Sequence, residues 1–136
     1  MAVFVDSCVF VAYYNARDSL HAKAEEFLKK AFGGAYGDVF TSDYVFDESV
    51  TVAAVRAGFD RAVELGEKLA SSEIRLVSTS PRAFERAWAL FKKYRRISFT
   101  DCAILAAMEE NGIKKLLSFD AGFEKAEGIE LVGTSN

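Results

Sequence analysis

Four acidic residues stand where a carboxylate can do more than face water. Asp6 abruptly ends the apolar run Ala2-Val3-Phe4-Val5, and Asp120 ends Leu116-Leu117-Ser118-Phe119 in the same manner. An apolar run of that kind reads as a strand covered on both faces, and ligands in parallel sheets gather just beyond the carboxyl ends of such strands. Glu48 lies where helical spacing with Tyr44, Val45, Val52 and Val55 asks for an apolar residue. A carboxylate there has to be paired, protonated or bound to a cation, because burying it bare costs several kcal/mol. Asp101 closes Ser98-Phe99-Thr100-Asp101, which doubles as a capping box at the start of a helix.

Taken singly, each acid has a plainer reading. Asp6 and Asp120 suit helix caps, Asp101 a capping partner, and Glu48 an internal salt bridge. Together they suggest more. Two acids at the ends of parallel strands emerge on one edge of the sheet, and helices starting at that edge bring Glu48 and Asp101 close to it. Four oxygen donors without His or Cys nearby favour Mg²⁺ or Mn²⁺ over Zn²⁺. A divalent ion in a carboxylate pocket suits phosphodiester hydrolysis.

Substrate contact would need cations, and Lys92-Lys93-Tyr94-Arg95-Arg96 directly precedes the Ser98 helix. Alone, the run reads as a solvated helix end complementing the macrodipole. Beside an acidic pocket, Lys92, Lys93, Arg95 and Arg96 read as contacts to a phosphate backbone. Arg56, Arg61, Lys114 and Lys115 are further candidates. The single histidine, His21, has no clustered partner and is expected to be structural. Cys8 and Cys102 sit in apolar segments without metal-type spacing and are expected to be buried, reduced thiols.

The elements that must position these residues follow from periodicity. A strand to Val5 leads into a short helix over Cys8 to Tyr14. Asp18 reads as the N-cap of a helix carrying Leu20, Ala24, Phe27, Leu28, Ala31 and Phe32 on one stripe, ended by Gly33-Gly34. Asp38 to Thr41 is a strand. Ser42 or Asp43 caps a helix to about Ala57, and Gly58 separates it from another over about Asp60 to Ala70. Ile74 to Val77 is a strand, and Ser80-Pro81 starts a helix to about Tyr94 that buries Phe84, Ala87, Trp88 and Phe91. Ser98 to Asn111 is helical, and the strands Lys115 to Phe119 and Ile129 to Val132 flank a short turn near Ala121 to Lys125. This alternation predicts a three-layer α/β/α sandwich with a central parallel sheet of four to five strands.

With 136 residues, 51% hydrophobic and 27% charged, the chain is expected to form a single domain over residues 1–136. Its longest apolar runs fall far short of the roughly 20 residues of a spanning helix, and no basic segment precedes the first of them. A soluble, cytoplasmic protein is therefore expected, without a membrane partner. The net charge of −3 leaves nucleic-acid binding to local basic clusters.

The assembled motifs resemble the PIN-domain ribonucleases, and within them the VapC toxins of toxin–antitoxin pairs. The similarity spans essentially the whole chain. It rests on Val5-Asp6-Ser7, Asp18-x-x-His21-x-x-Ala24, Glu48, Ile97-Ser98-Phe99-Thr100-Asp101 and Ser118-Phe119-Asp120-x-x-Phe123. The resemblance implies a Mg²⁺- or Mn²⁺-dependent endoribonuclease with the metal held by Asp6, Glu48, Asp101 and Asp120, while Ser98 orients an acid or water. It also implies a homodimer and an antitoxin partner. Cys102, directly after Asp101, departs from the small residue more usual there. Competing readings are a housekeeping RNA-processing nuclease without an antitoxin and a non-catalytic RNA-binding module of the same fold. An aspartyl-phosphate mechanism would want a second Asp two residues after Asp6, where this chain has Cys8.

Overall fold

The computed structural model describes residues 1–71 and 73–134. Five parallel strands, β1 (Ala2–Val5), β2 (Asp38–Ser42), β3 (Arg75–Val77), β4 (Lys115–Leu117) and β5 (Glu130–Val132), form one sheet in the order β3-β2-β1-β4-β5. Six helices flank it: α1 (Ser7–Tyr13), α2 (His21–Phe32), α3 (Asp43–Ala57), α4 (Phe59–Leu69), α5 (Pro81–Tyr94) and α6 (Phe99–Glu110). The expected α/β sandwich is thus present, with five strands. No helix among the described residues is long and apolar enough to cross a membrane.

From β1 the chain steps outward to β2 and β3, then crosses back to place β4 on the other side of β1. The strand order therefore reverses between β1 and β4. A reversal of this kind opens a crevice beyond the strand ends, the usual ligand site of open parallel sheets. Asp6 follows β1 and Asp120 lies three residues beyond β4. The backbone ladder reaches the first of these acids directly, since the Asp6 amide donates to Leu117 O (3.0 Å). Thr41, fully buried on β2, donates its hydroxyl to Val5 O (3.1 Å) and ties down the last carbonyl of β1.

The core is continuous through the sheet: Val3, Phe4, Val5, Leu116 and Leu117 have no exposed surface, and Leu65, Leu69, Ile104 and Met108 close over them. Gly37 enters β2 with φ +83°, and a Cβ there would stand 2.1 Å from Met1 O. Only glycine lets the chain approach the N-terminus so closely.

Several elements differ from the sequence reading in instructive ways. Asp18 does not cap α2, whose N-cap position is Leu20 without a capping side chain. Asp18 instead accepts from the Leu20 amide (2.9 Å) in the preceding turn. The stripe of α2 buries Ala24, Leu28 and Ala31, while Leu20 and Phe32 lie at its exposed ends. On α5 the buried positions are Ala83, Ala87 and Leu90. Phe84 and Trp88, expected in the core, are 50% and 51% exposed. Small and aromatic residues occupy two adjacent stripes of that helix, and close packing against α6 selects the small one. Similarly α3 buries Val45, Ser49 and Ala53. Glu48 is half-buried at the border of that face and Val55 is 84% exposed on the far side.

These burials fix a contrast in stability. Leu116→Ala is expected to cost about 2–5 kcal/mol by opening a cavity in the central sheet, whereas Val55→Ala should change stability by less than about 0.5 kcal/mol. Urea denaturation of the two variants checks both.

Candidate functional site

Asp6 leaves β1 in an extended conformation and caps α1, accepting from the Ser7 amide at Oδ1 (2.7 Å). Its other oxygen, Oδ2, accepts from the Ser118 hydroxyl (2.8 Å) and from the Cys8 thiol (3.4 Å). The side chain is almost wholly buried, and burial pushes its carboxyl upward despite these donors, with the Glu48 carboxylate adding to the rise. Its alternative role as a cap is therefore real and coexists with a place in a carboxylate cluster.

The remaining acids arrive from three other segments. Ser7 donates its hydroxyl to Glu48 Oε1, joining α3 to the start of α1. Ser98 caps α6 by accepting the Asp101 amide (3.1 Å), which sets Asp101 in the first turn. Asp120 caps a short 3₁₀ turn over Ala121–Lys125, accepting from the Gly122 amide at Oδ1 (2.8 Å). A Cβ at residue 122 would press on that same oxygen at 3.0 Å. Ser118 links the two strand ends, because its oxygen donates to Asp6 and accepts the Asp120 amide (3.0 Å).

The electrostatics bring the four acids into one group. The Asp101 carboxyl is pushed up to about 7, first by burial and then by the carboxylates of Asp6, Asp120 and Glu48, with Ser98 pulling it down. The ion pairs seen among the described residues fall on other carboxylates. No three His, Cys, Asp or Glu side chains among the described residues converge tightly enough to chelate one ion unaided. A group of acids made only of oxygen donors is the chemistry a hard divalent cation fits. Asp6, Glu48, Asp101 and Asp120 are the residues able to hold one.

The other sequence candidates fall as follows. Lys92 and Lys93 end α5, with Lys92 over the Trp88 ring and Lys93 3.5 Å from Glu127. Arg95 and Arg96 are exposed in the connection to Ser98, and Arg95 adopts φ 52°. The basic run thus borders the helix bearing Asp101 without joining the acid cluster. His21 Nδ1 lies 2.9 Å from Ala12 O, consistent with a structural role. Cys102 is buried and Cys8 half-buried, both as free thiols. Burial, followed by the Asp6 carboxylate, raises the Cys8 thiol to about 12.

Sequence reasoning missed Ser7, Cys8 and Ser118 as partners of the acids. Ser7 and Cys8 directly follow Asp6, and Ser118 precedes Asp120 by two. Short polar residues flanking a strand-end acid were the available signal.

The comparisons with known proteins agree with this geometry. A model of the PIN domain matches residues 3–129. The VapC ribonuclease of Archaeoglobus fulgidus is 26% identical over 127 residues, spanning 90% of this chain and 80% of that protein. Among solved structures, the sarcin–ricin-loop-cleaving toxin VapC20 of Mycobacterium tuberculosis superposes with a TM-score of 0.85 at 28% identity, covering 94% of this chain and 97% of its own. A toxin–antitoxin complex from Klebsiella pneumoniae shares the fold at a TM-score of 0.68 and 19% identity, over 96% of both chains. With the matched model reaching from β1 to the approach to β5 and enclosing all four acids, the chain belongs to the PIN-domain family.

Proposed function

We propose that this chain is a Mg²⁺- or Mn²⁺-dependent endoribonuclease and the toxin of a toxin–antitoxin pair. The observation that carries the reading is the approach of four acids, from the end of β1, from α3, from α6 and from the loop after β4, to one sheet edge, where burial first and the carboxylates of Asp6, Asp120 and Glu48 second push Asp101 up to about 7. Likeness to a VapC ribonuclease and to VapC20 supports RNA as the substrate, and the kinship with a toxin–antitoxin complex supports an antitoxin partner. Asp6 and Asp101 are the primary metal ligands in this reading, with Glu48 and Asp120 completing the set. When bound, the ion supplies a lowered water pKa and neutralises charge developing on the phosphate.

The chain's own residues do the rest. The ladder bond to Leu117 O and three side-chain or amide donors hold Asp6 immobile. Ser7 fixes Glu48, and Ser98 orients the first turn that carries Asp101. Arg95 and Arg96, with Lys92 and Lys93, contact backbone phosphates of single-stranded or looped RNA flanking the cut. The working unit is a homodimer in the cytoplasm, in which the half-exposed Phe84 and Trp88 supply apolar surface for a second copy to cover.

Asp6→Ala or Asp101→Ala should abolish RNA cleavage in Mn²⁺ while leaving the circular-dichroism spectrum intact, and induced expression of the parent, but of neither variant, should arrest a bacterial host. A parent that cleaves RNA without slowing growth would favour a housekeeping nuclease. Absence of Mn²⁺ binding by calorimetry would favour a non-catalytic RNA-binding module.

The raised Asp101 carboxyl sets a pH dependence. Its folded value of about 7 exceeds the ordinary 3.8, so between about pH 4 and 7 the folded state keeps a proton that the unfolded chain releases. The metal-free protein therefore loses stability from this group as pH rises through that window. Asp101→Asn should raise the melting temperature of metal-free protein at pH 8 by on the order of 3 °C, and the gain should narrow toward pH 4. Differential scanning fluorimetry across pH checks it.

Replacing Arg95 and Arg96 together by Ala should raise KM for RNA several-fold with little change in kcat. It should also flatten the dependence of log affinity on log salt by roughly 0.7 per lost phosphate contact. Titrations at three salt concentrations measure both.

A further inference from the structure

Cys8 lies in the first turn of α1, at the seam where β1 ends and the chain leaves β4. Its sulfur has polar neighbours on both sides of that seam. The thiol donates to Asp6 Oδ2 (3.4 Å), lies 3.6 Å from Ser118 Oγ, and accepts the backbone N–H of Phe119 (3.4 Å). Phe119 immediately precedes Asp120. One atom therefore touches the carboxylate that closes β1 and the backbone segment that delivers the acid following β4. An N–H···S bond is longer than its oxygen counterpart, so the sulfur holds the two segments farther apart than a hydroxyl would.

Ser118 makes a parallel connection to Asp6 Oδ2 and to the Asp120 amide. The two side chains together occupy Oδ2 with two donors. Oδ1 receives the Ser7 amide, with the Ser7 hydroxyl 3.4 Å away as a weaker contact. A carboxylate restrained at both oxygens cannot swing about its last bond, and its remaining lone pairs point in set directions.

We propose that Cys8 is a positioning residue of the acid cluster: its thiol sets the orientation of the Asp6 carboxylate and the separation between Asp6 and the Asp120 segment. The inference rests on the reading of the four acids as a divalent-cation site. Groups that orient metal ligands through hydrogen bonds commonly change metal affinity by 10- to 100-fold when removed.

The test uses the full chain, Mn²⁺ alone as probe, and calorimetry. Cys8→Ala should weaken Mn²⁺ binding by about tenfold while the melting temperature of the metal-free protein moves by only a few degrees. Cys8→Ser, which restores a donor and acceptor at shorter reach, should recover affinity to within about threefold of the parent. A purely structural thiol would lower the melting temperature and leave Mn²⁺ affinity of the folded protein unchanged. Cys8→Ala binding Mn²⁺ within twofold of the parent overturns the proposal. If Cys8→Ala does not fold, amide exchange in the parent decides: a Phe119 amide protected from exchange supports the N–H···S tether, and one exchanging at the rate of an open amide overturns it. A parent that neither binds Mn²⁺ nor cuts RNA would instead defeat the functional reading beneath it.

Discussion

The burial of two carboxylates, Asp6 and Asp101, beside other acids is the constraint on which the site depends. Two like charges in a protein environment repel each other, and the ion pairs seen among the described residues fall on other carboxylates. The protein has to hold the acids together by other means. It uses the backbone ladder for Asp6, helix starts for Asp101 and the Asp120 turn, and a chain of short polar side chains, Ser7, Ser118 and Ser98, between them. The Ser118 hydroxyl and the Ser7 amide at Asp6, and Ser98 at Asp101, partly offset the desolvation that pushes these two carboxyls upward. The site is consequently stable enough to exist as a cluster, yet electrostatically unsatisfied.

Topology explains why these four segments meet. With β1 between β2 and β4, the reversal in strand order places the first and fourth strands side by side with their carboxyl ends aligned. Asp6 and the Ser118–Asp120 segment therefore face one another across 112 residues of sequence. The helices that start at the same edge supply the other two acids, Asp101 from the first turn of α6 and Glu48 from the second turn of α3. A parallel sheet makes this convergence cheap in chain length, because every crossover returns to the same edge.

Local patterns made much of this legible beforehand. Asp6 and Asp120 stand out because an apolar strand ends on each, and Ser80-Pro81 and Ser98 announce helix starts through capping chemistry that needs no tertiary knowledge. What escaped was long-range or depended on a choice between equal patterns. The Ser7–Glu48 and Ser118–Asp6 bonds join residues 41 and 112 apart, and no periodicity encodes them. On α5, an aromatic stripe and a small-residue stripe lie one position apart. Hydrophobicity rightly put Ala87 in the core but added Phe84 and Trp88, whereas the close approach of α6 favours Ala83 beside it. Asp18 misled for a related reason, since an acid ahead of a helix reads the same whether it caps the helix or the turn before it.

The central position of β1 also orders events during synthesis. The strand β1 is made well before its neighbour formed by residues 115–117 and before the last acid, Asp120. Loop closure over that distance cannot occur while the later segments are still inside the ribosome. Until then β1 keeps one edge unpaired and Asp6 lacks the Ser118 and Leu117 partners that fix it. The partners that fix Asp6 therefore exist only once residues 115–120 have been made, and the four acids can come together no earlier than that.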